Sequence, residues 1–128
     1  MKLLLDTHIL LWATRDAREL SRAARTLLED TENQLIFSAV SVWEVAIKYR
    51  PGRGDLVPEP GLLRRALLDH GYIELPMNSD HAIALSSLPH IHKDPFDRML
   101  VAQALAEGIT FLTADASLAK YPGSIRQV

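Results

Sequence analysis

The chain has 128 residues, 48% of them hydrophobic and 23% charged, which predicts one ordinary domain, residues 1–128, able to bury a sizeable core. No apolar run approaches the ~20 residues that cross a bilayer, and the apolar opening breaks at Asp6 with no cleavage-type site behind it, so neither a membrane segment nor a leader is expected. The absence of cysteine excludes a disulfide framework, thiol chemistry and cysteine-ligated zinc and fits the cytoplasm, while the net charge of −2 leaves a nucleic-acid partner to be held by local arginines or through metal ions.

In chain order, a short Leu-rich strand is predicted at residues 2–5, then helical patterns at 9–13 and 21–30, the second opened by Ser21 as a hydroxyl cap. A strand at 34–37 leads into a helix at 40–49. Residues 50–58, Arg-Pro-Gly-Arg-Gly-Asp-Leu-Val-Pro, read as a loop. Beyond it come a helix at 60–70, a strand at 72–75, helices at 80–87 and 95–107, a strand at 110–112 and a weaker one at 124–128. Gly71 and Gly108 each follow a helix and precede a strand, where a left-handed residue closes the helix at little cost. Strand and helix alternate throughout, which predicts an α/β domain with a mostly parallel sheet, because parallel strands need crossovers and those are usually helices. No repeat, low-complexity tract or linker marks a second domain.

Ligands of open α/β sheets bind outside the carboxyl ends of the strands. Asp6 ends the first strand, in Leu-Leu-Leu-Asp-Thr-His, and Asp115 follows the fourth, in Phe-Leu-Thr-Ala-Asp. Each alone suits a helix cap or turn; together they mark one edge. Glu44 lies among Val42, Trp43, Val45, Ala46 and Ile47. It reads either as an exposed partner for Lys48 four residues on, or as a carboxylate at the core boundary that requires a cation. In Asp94-Pro95-Phe96-Asp97, Asp94 is the expected cap, Pro95 the first helical residue and Asp97 a capping-box acid at the favourable end of the helix dipole. The following residues, 99–106, are apolar almost all round, as in a helix buried against a sheet. Converging carboxylates repel unless a cation sits between them, and an all-oxygen set favours Mg²⁺ or Mn²⁺ over zinc or copper.

The stretches LLLDTHILLW, SAVSVWEVAIKY, LPHIHKDPFDRMLVAQA and FLTADASL, in this order, strongly resemble the PIN-domain family, in particular VapC-type toxins of toxin-antitoxin pairs. The resemblance implies a three-layer fold with about five mostly parallel strands and helices on both faces. It also implies an acidic site of Asp6, Glu44, Asp97 and Asp115, with Asp6 and Asp97 the firmest metal ligands and Asp115 either a ligand or acting through water. Members of that family are endoribonucleases dependent on one or two Mg²⁺ or Mn²⁺ ions. They are usually homodimers, and a small cognate antitoxin covers the site.

The residue types suit that chemistry: a carboxylate-held ion activates water and polarises the phosphodiester, with no protein nucleophile. Thr7, Ser38 and Thr113 flank the acids, as helix caps or as groups that orient water or ligand. Arg50, Arg53 and Arg98 are the candidate RNA phosphate contacts. His90, His92 and Asp94 have metal-motif spacing, but paired imidazoles suit softer ions, so a structural or substrate-side role is expected. His8 is expected to be packed or hydrogen-bonded, and Trp12 and Trp43 to lie in the core. Three rival readings are a phospho-receiver module, which lacks its acidic pair here, a dehalogenase-like phosphatase, which lacks the second acid after Asp6, and a catalytically silent PIN fold that only binds.

Overall fold

The computed structural model describes residues 1–52 and 57–128. Lys2–Leu5 forms β1, and its Leu3, Leu4 and Leu5 are fully buried, as an unbroken apolar run must be in a strand covered on both faces. There follow α1 (Thr7–Thr14), α2 (Arg22–Glu29), β2 (Gln34–Ser38), α3 (Ala39–Lys48), α4 (Pro60–Asp69), β3 (Ile73–Leu75), α5 (Ser79–Leu85), α6 (Pro95–Glu107), β4 (Thr110–Thr113), a 3₁₀ turn at Leu118–Lys120 and β5 (Ile125–Gln127). The predicted elements all form. The 3₁₀ turn was not expected, and α1 starts at Thr7, directly after β1, rather than at residue 9. The predicted loop at 50–58 lies partly outside the described residues.

The sheet has the order β3-β2-β1-β4-β5 and every neighbouring pair is parallel. Alternate side chains feed two cores. Leu4, Ile36 and Phe111 pack on one side against Leu100, Val101 and Ala104 of α6. Leu3, Leu5, Phe37 and Leu112 pack on the other against Ile9 and Leu10 of α1 and Leu63 and Leu67 of α4. Strand order reverses at β1: the chain runs outward through β2 and β3, then crosses by α5 and α6 to β4 on the opposite side. The carboxyl ends of β1 and β4 therefore flank the switch point, where such sheets bind ligands.

Helix α6 is built as predicted at both ends. Asp94 Oδ1 accepts from the N–H groups of Phe96 (2.8 Å) and Asp97 (3.3 Å), Pro95 opens the helix, and Gly108 closes it at φ +67°. Helix α3 inverts the expectation from its composition. Its buried residues are Val40, Ser41, Glu44 and Val45, so Trp43 falls on the outer stripe, 55% exposed, with its ring edge-on to Phe96 at 4.8 Å. Trp43 is thus not a core residue. Trp12 is partly buried against the α1 side of the core, but His8, whose ring lies 5.9 Å from that of Trp12 at a tilt of 34°, is exposed. No helix among the described residues is long and apolar enough to cross a membrane.

Candidate functional site

Asp6 occupies the cap position of α1 without capping it through its side chain. Its Oδ2 instead accepts from Thr113 Oγ1 at the end of β4 (2.7 Å), while Oδ1 is buried with no partner among the described residues. Burial raises the Asp6 pKa, against the lowering effect of the Thr113 hydroxyl. The same Thr113 oxygen accepts from Asp115 N–H (3.1 Å), so one hydroxyl ties together the carboxyl ends of the two central strands. Asp115 is further held by Ser117, whose N–H (2.8 Å) and Oγ (2.7 Å) both donate to Oδ1. Those bonds, the side-chain one foremost, keep the Asp115 carboxyl below its ordinary pKa, and His92 adds to the effect.

His92 decides what Asp97 does. Its Nδ1 accepts the Asp94 N–H (3.1 Å), which assigns the proton of the neutral ring to Nε2, and Nε2 stands 3.2 Å from Asp115 Oδ2. The Asp94 N–H is the group a capping-box acid would take. Asp97 is therefore not a capping-box acid, and its carboxylate, 3.8 Å from His92 Nε2, is left to the cleft. Burial, followed by the charges of Asp6, Asp94, Glu44 and Asp115, raises its pKa to about 7. His92 Nε2 lies 3.2 Å from Asp115 and 3.8 Å from Asp97, and Thr113 bonds both the Asp6 carboxylate and the Asp115 backbone, so these three acids share the carboxyl end of the β1–β4 pair.

Glu44 combines both sequence alternatives. It is 4% exposed, yet its Oε2 accepts from Lys48 Nζ at 2.6 Å; Oε1 is buried without a partner among the described residues. The hydrogen bond to Glu44 foremost, and more weakly the charges of Asp94 and Asp97, raise the Lys48 pKa. Beside this pair a cavity of about 210 Å³ between α1 and α3 is lined by Thr7, His8, Trp12 and Arg15, among others.

The remaining candidates separate. Thr7 is bonded to Ser41 Oγ (2.8 Å) and pins α1 to α3. Ser38 caps α3 through Val40 N–H (2.9 Å) and donates to Gln103 in the core. Thr113 alone of the three hydroxyls touches an acid of the cluster among the described residues. Arg50 is exposed and donates to the carbonyls of Ile47 and Tyr49 at the end of α3. Arg98 is half-buried in the first turn of α6 with its Nε unpartnered among the described residues. Arg53 lies outside the described residues. His90 is exposed, so the His90-His92-Asp94 spacing does not close into one cluster. Sequence reasoning missed the bracing of Asp115 by His92 and Ser117. The Asp-Ala-Ser spacing was the available sign of the Ser117 bond, whereas the His92 contact spans 23 positions and left none.

The donor set passes one test for a divalent ion and leaves another open. Two buried carboxylate oxygens, Asp6 Oδ1 and Glu44 Oε1, have no partner among the described residues, and oxygen donors suit Mg²⁺ or Mn²⁺. Yet no three acidic or imidazole groups among the described residues stand close enough to grip one ion as they are. The residues fit a divalent ion in donor chemistry but not in spacing.

Fold and site define an α/β protein with an acidic cleft at the switch point of a parallel sheet. The PIN domain family model matches residues 3–124, and the chain belongs to that family. Among solved structures, a chain of the Rickettsia felis VapBC2 complex bound to a DNA fragment from its promoter superimposes with a TM-score of 0.72 at 14% identity, over 99% of this chain and 98% of that one. DNA-bound VapBC from Salmonella typhimurium gives 0.68 at 16% identity, covering 99% and 98%; FitAcB from Neisseria gonorrhoeae gives 0.59 at 15%, covering 96% and 95%. At such identities the likeness is one of fold. No curated protein matched. Family membership sets aside the receiver and dehalogenase readings.

Proposed function

We propose that residues 1–128 act as one PIN domain, a divalent-metal-dependent endoribonuclease of VapC type that serves in the cytoplasm as the toxin of a toxin-antitoxin pair. The observation that carries the reading is the pair of unpartnered buried oxygens on Asp6 and Glu44, beside an Asp97 whose charge the metal-free fold resists. The structural neighbours described as VapBC and FitAcB support a small antitoxin partner that blocks the acidic cleft, and a homodimer is the expected resting form.

Asp6, Glu44 and Asp97 would hold one Mg²⁺ or Mn²⁺, with Asp115 as a further ligand or acting through water, and a second ion is compatible with four carboxylates. A bound ion would supply an acidified water and a polarised phosphodiester. The chain's own residues do the rest. Thr113 fixes the Asp6 carboxylate and the Asp115 backbone, and His92 with Ser117 fixes the Asp115 carboxylate. Thr7 and Ser38 brace the helices that carry the site. Arg98, next to Asp97, and Arg50 and Arg53, past α3, are the proposed phosphate contacts.

The test is cleavage of total cellular RNA by purified, antitoxin-free protein in Mg²⁺ or Mn²⁺, with EDTA and Asp97→Asn controls. Discrete cuts that require metal and vanish in the variant are expected. Absence of cleavage across every major RNA class would favour a PIN fold that only binds. Growth arrest on expression that survived Asp6→Ala would refute the catalytic account of toxicity.

A further inference from the structure

Lys48 stands where a cation of the site would act. Its Nζ lies 2.6 Å from Glu44 Oε2, and the Glu44 carboxylate is buried while the Lys48 side chain is 53% exposed. A buried carboxylate without a partner is costly, and Lys48 is the one charged partner of Glu44 among the described residues. The contact is nevertheless a one-sided one. Lys48 satisfies a single oxygen of Glu44, leaves Oε1 and Asp6 Oδ1 bare, and reaches the cluster on a flexible four-carbon arm rooted at the last residue of α3. An ammonium on such an arm can leave without disturbing the helix.

We propose that Lys48 is an exchangeable counter-ion of the carboxylate cluster: it holds Glu44 when no metal is bound, gives it up to a divalent ion, and then pairs with an RNA phosphate at the cleft. This rests on the nuclease reading for its second half and is independent of it for its first. Two cations compete for Glu44, so the metal-free pairing works against metal affinity. When the divalent ion takes Glu44, the released ammonium is a positive charge at the rim of a cleft that must bind a polyanion. The α1–α3 cavity, lined by both Glu44 and Lys48, gives the arm room to move.

The experiment compares wild type, Lys48→Met and Lys48→Arg. Mn²⁺ binding is measured by calorimetry without RNA, and binding of a non-cleavable single-stranded RNA analogue is measured against salt in saturating Mn²⁺. Removing an ion-pair competitor of about 1 kcal/mol is expected to tighten Mn²⁺ binding about fivefold in Lys48→Met, since 1.4 kcal/mol is about tenfold. The same variant is expected to bind RNA more weakly, with a log–log salt slope shallower by about 0.7, one phosphate contact on a single strand. Lys48→Arg, which keeps the charge, is expected to restore the wild-type slope. A gain in Mn²⁺ affinity with simultaneous loss of RNA affinity is a signature a merely structural lysine does not give. Unchanged or weaker Mn²⁺ binding in Lys48→Met would overturn the exchange, and an unchanged salt slope would overturn the phosphate contact. Neither readout requires cleavage, so failure of wild type to cut RNA would be a separate result, counting against the nuclease reading alone.

Discussion

Replacing Asp97 by Asn keeps the shape of the side chain and removes the charge that the metal-free cleft tolerates least. The Asp97 side chain is 12% exposed, and its pKa stands at about 7 against an ordinary 3.8. Between those values the folded protein binds the proton that the unfolded chain has released, so stability falls as pH rises from about 4 to 7 and is level above. Three units at 1.36 kcal/mol each put the full cost of the ionised group at about 4 kcal/mol, and at pH 5 the same relation leaves about 1.7 kcal/mol. Urea unfolding in EDTA should therefore find Asp97→Asn gaining on wild type by roughly 2 to 3 kcal/mol between pH 5 and pH 8. Asp6, also raised, remains in both proteins. Saturating Mn²⁺ should stabilise wild type at pH 8 and leave the variant little changed. If the advantage of the Asn variant changed by less than about 1 kcal/mol across that pH range, the idea of an electrostatically frustrated cleft would be refuted.

Thr113→Val removes the hydroxyl that serves both Asp6 and Asp115 at nearly constant volume, and chemical denaturation should show a loss of about 1–3 kcal/mol for the buried acceptor left bare. RNA cleavage should fall with it, because the Asp6 carboxylate loses its fixed orientation. His92→Ala should let the Asp115 pKa rise toward its ordinary value in an NMR titration, since one of the hydrogen bonds that lower it is gone. Asp115 would then lose part of the stability that its ionised form contributes above pH 4, stability that is lost as pH falls through its folded-state pKa.

The fold was legible because its strands are short apolar runs with punctuation between them. Lys2–Leu5 and Pro95–Glu107 form over the residues predicted, and Asp94, Pro95 and Gly108 bracket α6 by local chemistry alone. The side chains Thr113 and Asp97 proved more telling than their neighbours for reasons that are not local. Thr113 reaches across 107 positions to Asp6, and nothing in a β-strand ending in threonine separates that role from a turn. Helix α3 misled because its composition is apolar on every side. With no strong stripe, Trp43 was expected inside and Glu44 was left between two readings. The stripe that is buried, Val40, Ser41, Glu44 and Val45, carries two polar residues because it faces the site and α1 rather than hydrocarbon alone.

That inversion and the role of His92 have one physical origin. A helix interior prefers to put Trp43 and Ile47 inside and Glu44 outside, and a capping box prefers Asp97 folded back on Asp94. Here both local preferences are overridden. Ser41 and Glu44 take the inner stripe of α3, and His92 takes the Asp94 N–H in place of Asp97. The cost appears in the raised pKa of Asp97 and in the bare oxygens of Asp6 and Glu44. Local rules broken at several points around one cleft, each at a cost to the fold, mark that cleft as shaped for something other than stability, and the proposed cation site accounts for them together.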